Sequence, residues 1–211
     1  MKRVLAMMIL LVTVVLCTGC SAFDGTRTAE LASQPQLVVF IQLPVGQTYG
    51  PELLAEIKQY NAQIHAEDPE APYLTAVELN SALTVPGLGE VYALDLTAEN
   101  LPTTTVTVRT QPWMKYRTDT LFNANTLLPP EAPYTAYMAY PFTSQPTTAN
   151  TDLPPLRTDE GDYIYLWQGT DAIIITNQGA NPTLWYLTAL GVAVAAGVIV
   201  YLLNRRKKRI V

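Results

Sequence analysis

Cysteine is nearly missing from this chain. Its 211 residues hold two, Cys17 and Cys20, both within the first twenty positions. No disulfide framework and no cysteine-based zinc site is therefore open to the rest of the sequence. Histidine is scarcer: His65 is the only one. With Glu67, Asp68 and Glu70 it forms a polar cluster that matches no metal-ligand spacing and reads as a solvated helix terminus. A Ser-His-Asp hydrolase would need His65 as its base, and no Gly-x-Ser-x-Gly element occurs in the chain. Asn-x-Ser/Thr acceptors with a permitted middle residue are also missing, which fits a bacterial source. No metal and no cofactor is expected.

Positive charge is sparse between the two ends. Lys2 and Arg3 open the chain, and Arg205, Arg206, Lys207, Lys208 and Arg209 close it. Between them lie 6 basic against all 18 acidic residues, a net charge of −12. So acidic a segment excludes nucleic acid as a partner and argues against wide contact with anionic headgroups.

Two long apolar runs are present, one at each end. Val4 to Leu16 carries no charge and follows the cations Lys2 and Arg3. As a helix it would cover about 20 Å, short of the roughly 30 Å of hydrocarbon in a bilayer. It reads as an export signal rather than a span. The second run, Leu184 to Leu203, is 20 residues without a charge. That is the length of a transmembrane helix. Trp185 and Tyr186 sit at its outer end and Tyr201 at its inner end, where amphipathic rings favour the interface. Asn181-Pro182 precedes it, and the five cations after it place the tail in the cytoplasm. Gly191 with Ala195 and Ala193 with Gly197 give small residues at i, i+4, a spacing that admits close approach of a second helix.

The segment Leu16-Cys17-Thr18-Gly19-Cys20-Ser21 resembles the lipobox of bacterial lipoproteins. The resemblance implies that Cys20 becomes the diacylated first residue of the mature chain. Cys17 stands where the family usually has Leu. The pattern also admits an ordinary signal cut after Ala22. The expected organisation is a signal at 1–19, a lipidated Cys20 with a tether to 35, an extracytoplasmic domain over 36–180, a span over 184–203 and a basic tail over 204–211.

The domain reads as α+β: one amphipathic helix against a mainly antiparallel sheet of about six to eight strands. Leu37 to Ile41 is a continuous apolar run of strand length. Gly50-Pro51 opens a helix over 51–66, with Leu53, Ile57, Tyr60 and Ile64 on one face. Strands are expected over 74–79, 91–96, 103–110, 113–122, 134–142, 163–168 and 172–177. Pro86 to Gly89 is a turn, 143–160 a Pro-bearing linker and Asp159-Glu160-Gly161-Asp162 an acidic turn before a strand.

Two groups of side chains are candidates for interaction. Trp113, Lys115 and Arg117 share one face of an alternating strand, with Arg109 nearby, and make the only local positive spot in the domain. Such a face grips a phosphate, a glycan or a partner carboxylate, or pairs with the domain's own acids such as Asp119. Tyr163, Tyr165 and Trp167 line one face of the last hairpin. They serve a partner or form a packed sheet face.

These features predict a non-enzymatic cell-envelope lipoprotein, held at the membrane through both ends and presenting an interaction or scaffold domain outside the cytoplasm. The expected partners are membrane lipid and either an envelope protein or a second copy through the C-terminal helix. The layout also resembles that of phage unimolecular spanins, which link and fuse inner and outer membranes during lysis. A third reading, hydrolysis of envelope polymer by paired carboxylates, has no spacing to support it.

Overall fold

The computed structural model describes residues 25–47, 50–111 and 113–207. The side chains of Ser81, 182–185, Val200 and 203–207 are outside that description. So are the signal segment, Cys20 and residues 208–211.

The elements run in the order β1 (Gly25–Leu31), β2 (Gln36–Gln42), α1 (Pro51–Glu67), β3 (Tyr73–Val85), β4 (Gly89–Glu99), β5 (Thr104–Thr110) and β6 (Met114–Leu121). A 3₁₀ turn follows at Ala124–Leu127, then β7 (Thr135–Phe142), β8 (Thr148–Ala149), β9 (Leu156–Arg157), β10 (Tyr163–Gln168), β11 (Ile173–Ala180) and α2 (Pro182–Lys207). The α+β expectation holds at this level, with two sheets in place of one. Five strands take the order β1-β5-β6-β11-β8, and six take the order β3-β4-β2-β7-β10-β9.

The chain divides into two compact units. One holds Thr28–Val106 and Thr118–Asn177, and is called the body here. The other holds the chain through Arg27, Thr107–Arg117 and Gln178–Val211, and is called the base.

The body is organised around β2. Its run Leu-Val-Val-Phe-Ile is apolar on both faces because both faces of the six-stranded sheet are covered. Val39 stands opposite Leu94 of β4 and Met138 of β7, and Met138 opposite Trp167 of β10. This row is at most 3% exposed. Ile57 of α1, Leu127 of the 3₁₀ turn, and Ile173 and Ile175 of β11 pack on the same side. The other face gathers Phe40, Val85, Val91, Ala93, Tyr137, Ala139 and Leu166.

Helix α1 begins with Pro51 in its first turn, where no N–H is needed, and ends as the Asp68 N–H returns to the Ile64 carbonyl at 2.8 Å. Strands β3 and β4 form an antiparallel hairpin with two register shifts, between Leu74 and Ala76 and between Leu79 and Ala82. The expected turn at Pro86 to Gly89 joins them. Gly87 has φ 86° and Gly89 φ 84°, a region that favours glycine.

Two segments expected to be irregular contain strands. Residues 25–31, read as part of the tether, form β1, whose side chains are all exposed. Strands β8 and β9 lie within the 143–160 linker. The acidic turn before β10 is present: Thr158 receives the Gly161 N–H on its carbonyl at 3.0 Å and the Asp162 N–H on its hydroxyl at 3.1 Å.

In the base, α2 spans 26 residues and contains the charge-free run 184–203. At 1.5 Å per residue it is about 39 Å long. Tyr186, Leu190, Val192, Val194, Ile199 and Tyr201 are each more than half exposed. Among the described residues no helix is long and apolar enough to cross a membrane.

Candidate functional site

The base brings together the tip of the β5–β6 hairpin and the start of α2. The Gln111 N–H donates to the Met114 carbonyl at 2.8 Å and closes the tip. Asn181, the residue before α2, is 4% exposed and bonds the tip twice. Its backbone N–H donates to the Trp113 carbonyl at 3.1 Å, and its Nδ2 donates to the Gln111 carbonyl, also at 3.1 Å. Gln178 Nε2 adds a weak contact to the Met114 sulfur at 3.8 Å. Asn181 suits this place because Pro182 follows it. A residue before proline is held out of the helical region, so the helix starts after Asn181.

The expected cationic face lies at this tip. Trp113 is 47% exposed, Lys115 and Arg117 are exposed, and Met114 and Tyr116 between them are partly covered. The alternation on β6 therefore follows the period of two. Arg109 is exposed near the end of β5.

The second aromatic group is placed differently. Tyr165 and Trp167 are 6% and 3% exposed and belong to the core of the body. Their surface is used by Phe142, 5.7 Å from Tyr165 in a T-shaped contact, and by Tyr140, 6.1 Å from Trp167 in another. They have no face left for a partner. Tyr163 is half-buried, with the Arg157 guanidinium 5.9 Å from its ring centre. Of the six residues read as interacting from sequence, the base presents Trp113, Lys115 and Arg117 outward, and the body absorbs Tyr165 and Trp167.

His65 lies in the last turn of α1 and stacks on Tyr73 at 4.0 Å. Tyr73 in turn donates to Glu99 at 2.7 Å, and that carboxylate raises the phenol's pKa above its ordinary value. Among the described residues no three His, Cys, Asp or Glu side chains converge as a metal site.

Buried asparagines are the polar groups that sequence reasoning missed. Asn61 Nδ2 donates to the Leu127 carbonyl at 2.8 Å, and its Oδ1 accepts the Leu74 N–H at 3.1 Å. Asn123 Nδ2 donates to the carbonyls of Gly169 and Asp171 at 3.0 and 2.8 Å. Asn125 Nδ2 donates to those of Trp167 and Gly169 at 2.9 and 2.8 Å. Together they tie α1, the 3₁₀ turn and the β10–β11 turn to one another. An open cleft of about 460 Å³ beside them is lined by Tyr60, Asn125, Pro129, Pro130, Tyr134 and Gln168. No signal in the sequence separates these asparagines from surface ones, since asparagine is mostly exposed. No protein-family model, curated protein or solved structure matches this chain.

Proposed function

We propose that this chain is a bacterial cell-envelope lipoprotein, anchored through a lipid on Cys20 and a membrane-crossing α2, whose body serves as a non-enzymatic interaction module outside the cytoplasm. The observation that carries the reading is the charge-free run 184–203 inside a 26-residue helix, closed by five cations. A helix apolar on every face has no favourable place in water, and a basic cluster at one end fixes its direction across a bilayer. At 1.5 Å per residue the 20-residue charge-free run covers about 30 Å, the hydrocarbon thickness of a bilayer. The fixed geometry between Asn181 and the hairpin tip supports a folded entry point immediately before the membrane.

The body carries 17 acidic and 2 basic residues, a net −15, which favours a cationic partner surface over any polyphosphate. A diacyl group on Cys20 would hold the N-terminus to membrane as well, since two chains anchor stably where one is marginal.

Alkaline carbonate extraction and fatty-acid labelling of the full chain and of Cys20→Ala test the reading. The full chain is expected to stay with the membrane and to take up label. Cys20→Ala is expected to lose the label and remain membrane-bound through α2. Release of Cys20→Ala into the wash would sink the transmembrane assignment, and label retained by it would sink the lipid assignment.

A further inference from the structure

Charge is sorted between the two units. The base carries 11 basic residues and one acidic residue, Asp24, against the body's net −15. Three of those basic residues, Arg109, Lys115 and Arg117, are exposed on the β5–β6 hairpin around Trp113. No acidic residue occurs in Thr107–Arg117 or Gln178–Val211; the nearest in sequence is Asp119, two residues beyond Arg117 on β6. The hairpin tip, between Arg109 and Lys115 in the chain, is bonded to the residue before α2. Two aromatic side chains of the base are exposed: Trp113 at 47% and Tyr186, in the first turns of α2, at 76%.

We propose that the β5–β6 hairpin is a headgroup-binding finger. Arg109, Lys115 and Arg117 engage the phosphates of anionic phospholipid in the leaflet that α2 enters, and Trp113 seats in the interfacial layer. The proposal rests on the reading of α2 as a membrane span. The expectation against wide contact with anionic headgroups was drawn from the net charge of the whole segment between the two ends. That charge belongs to the body, whereas the segment fixed to the helix is cationic. Guanidinium groups match phosphate oxygens two at a time, and indole is the side chain best suited to the interface. Each cation near an anionic surface strengthens docking about fivefold, so three together contribute on the order of 100-fold. The attraction is confined to a Debye length of about 10 Å at 0.1 M salt, a range that a directly bonded tip satisfies. Docking would also fix the orientation of the hairpin relative to the membrane plane.

The test uses the full-length chain in nanodiscs of phosphatidylcholine alone and of phosphatidylcholine with phosphatidylglycerol. Fluorescence of Trp113 is isolated by difference against Trp113→Phe and read for emission maximum and acrylamide quenching. In discs containing phosphatidylglycerol at low salt, Trp113 is expected to shift to the blue and to resist the quencher. High salt, or the triple change Arg109→Gln, Lys115→Gln, Arg117→Gln, is expected to restore the values seen in phosphatidylcholine. Far-ultraviolet circular dichroism of the triple variant reports that it is folded. Equal quenching in the two lipids, in protein that has entered the discs, overturns the finger. A charge-neutral triple variant that still responds to phosphatidylglycerol overturns it as well. Failure of the protein to enter discs of either composition overturns instead the span on which it rests.

Discussion

The backbone N–H of Asn181 donates to the carbonyl of Trp113 at 3.1 Å. One bond thus joins the last residue before α2 to the most exposed tryptophan whose side chain is described. The side chain of Asn181 doubles the link through Gln111. Replacing Asn181 by Ala removes the second bond and leaves the Gln111 carbonyl without its amide donor, at a cost of about 1 kcal/mol. Amide exchange at Gln111 and Met114 is expected to quicken in Asn181→Ala, while exchange in β2 and β4 stays as in the parent. Uniform quickening across β2 and β4 would show that Asn181 supports the whole fold rather than the tip.

Asn61 is the most demanding polar position in the body. It is 2% exposed and its amide serves three backbone groups: the carbonyls of Ile57 and Leu127 and the N–H of Leu74. A Leu of similar size fills the space and abandons all three. The Ile57 carbonyl keeps its helical role, but the other two are left buried and unsatisfied, each at about 1–3 kcal/mol. Asn61→Leu is expected to lower the stability of the body by about 3 kcal/mol, read as a shift in urea midpoint at constant slope. A loss within about 0.5 kcal/mol would mean that water replaces the amide.

The aromatic residues sort into two classes with opposite expectations. Trp167 packs against Tyr140 and Tyr165, and its Nε1 donates to Asn150 Oδ1 at 3.0 Å. Trp167→Ala is expected to cost about 3–5 kcal/mol. Trp113→Ala, at a half-exposed tip, is expected to change stability by no more than about 0.5 kcal/mol. Denaturation of the two variants side by side checks the assignment; similar losses would contradict it.

How far these arrangements were legible depended on whether a residue's role followed from local pattern. Leu37 to Ile41 was consistent with a buried strand because a run of strand length that is apolar on both faces suits a sheet covered on both sides. Pro51 and the Leu53, Ile57 spacing announced α1 to within one residue. Strand β1 was hidden because Gly25–Leu31 buries no side chain and contributes only backbone pairing, which leaves no periodic trace. Strands β8 and β9 have two residues each, too short for any period to show. Trp113, Lys115 and Arg117 were legible as a shared face, but their closeness to α2 was not, since Asn181 meets Gln111 across 70 residues. The chemistry of Asn61 and Asn125 was likewise set by distant carbonyls, at Leu127 and Gly169.

Alkaline pH tests the burial of Tyr140. Its ring lies against Trp167 at 6.1 Å, and its hydroxyl donates to the Phe122 carbonyl at a long 3.5 Å. Burial raises the phenol's pKa above the ordinary 10.0, and Tyr137 is raised for the same reason. In the unfolded chain these phenols ionise near pH 10, while in the fold they keep their protons to higher pH. Below pH 10 both states are neutral and the stabilisation is fully present. As pH rises through the folded values, the unfolded state gains from ionisation first and stability falls. Urea unfolding from pH 8 to 11.5 is therefore expected to show a flat region and then a decline that begins near pH 10. Tyr140→Phe is expected to make that decline shallower and to remove a late-titrating phenol from the absorbance at 295 nm. A decline of unchanged steepness in Tyr140→Phe would assign the alkaline loss to other groups.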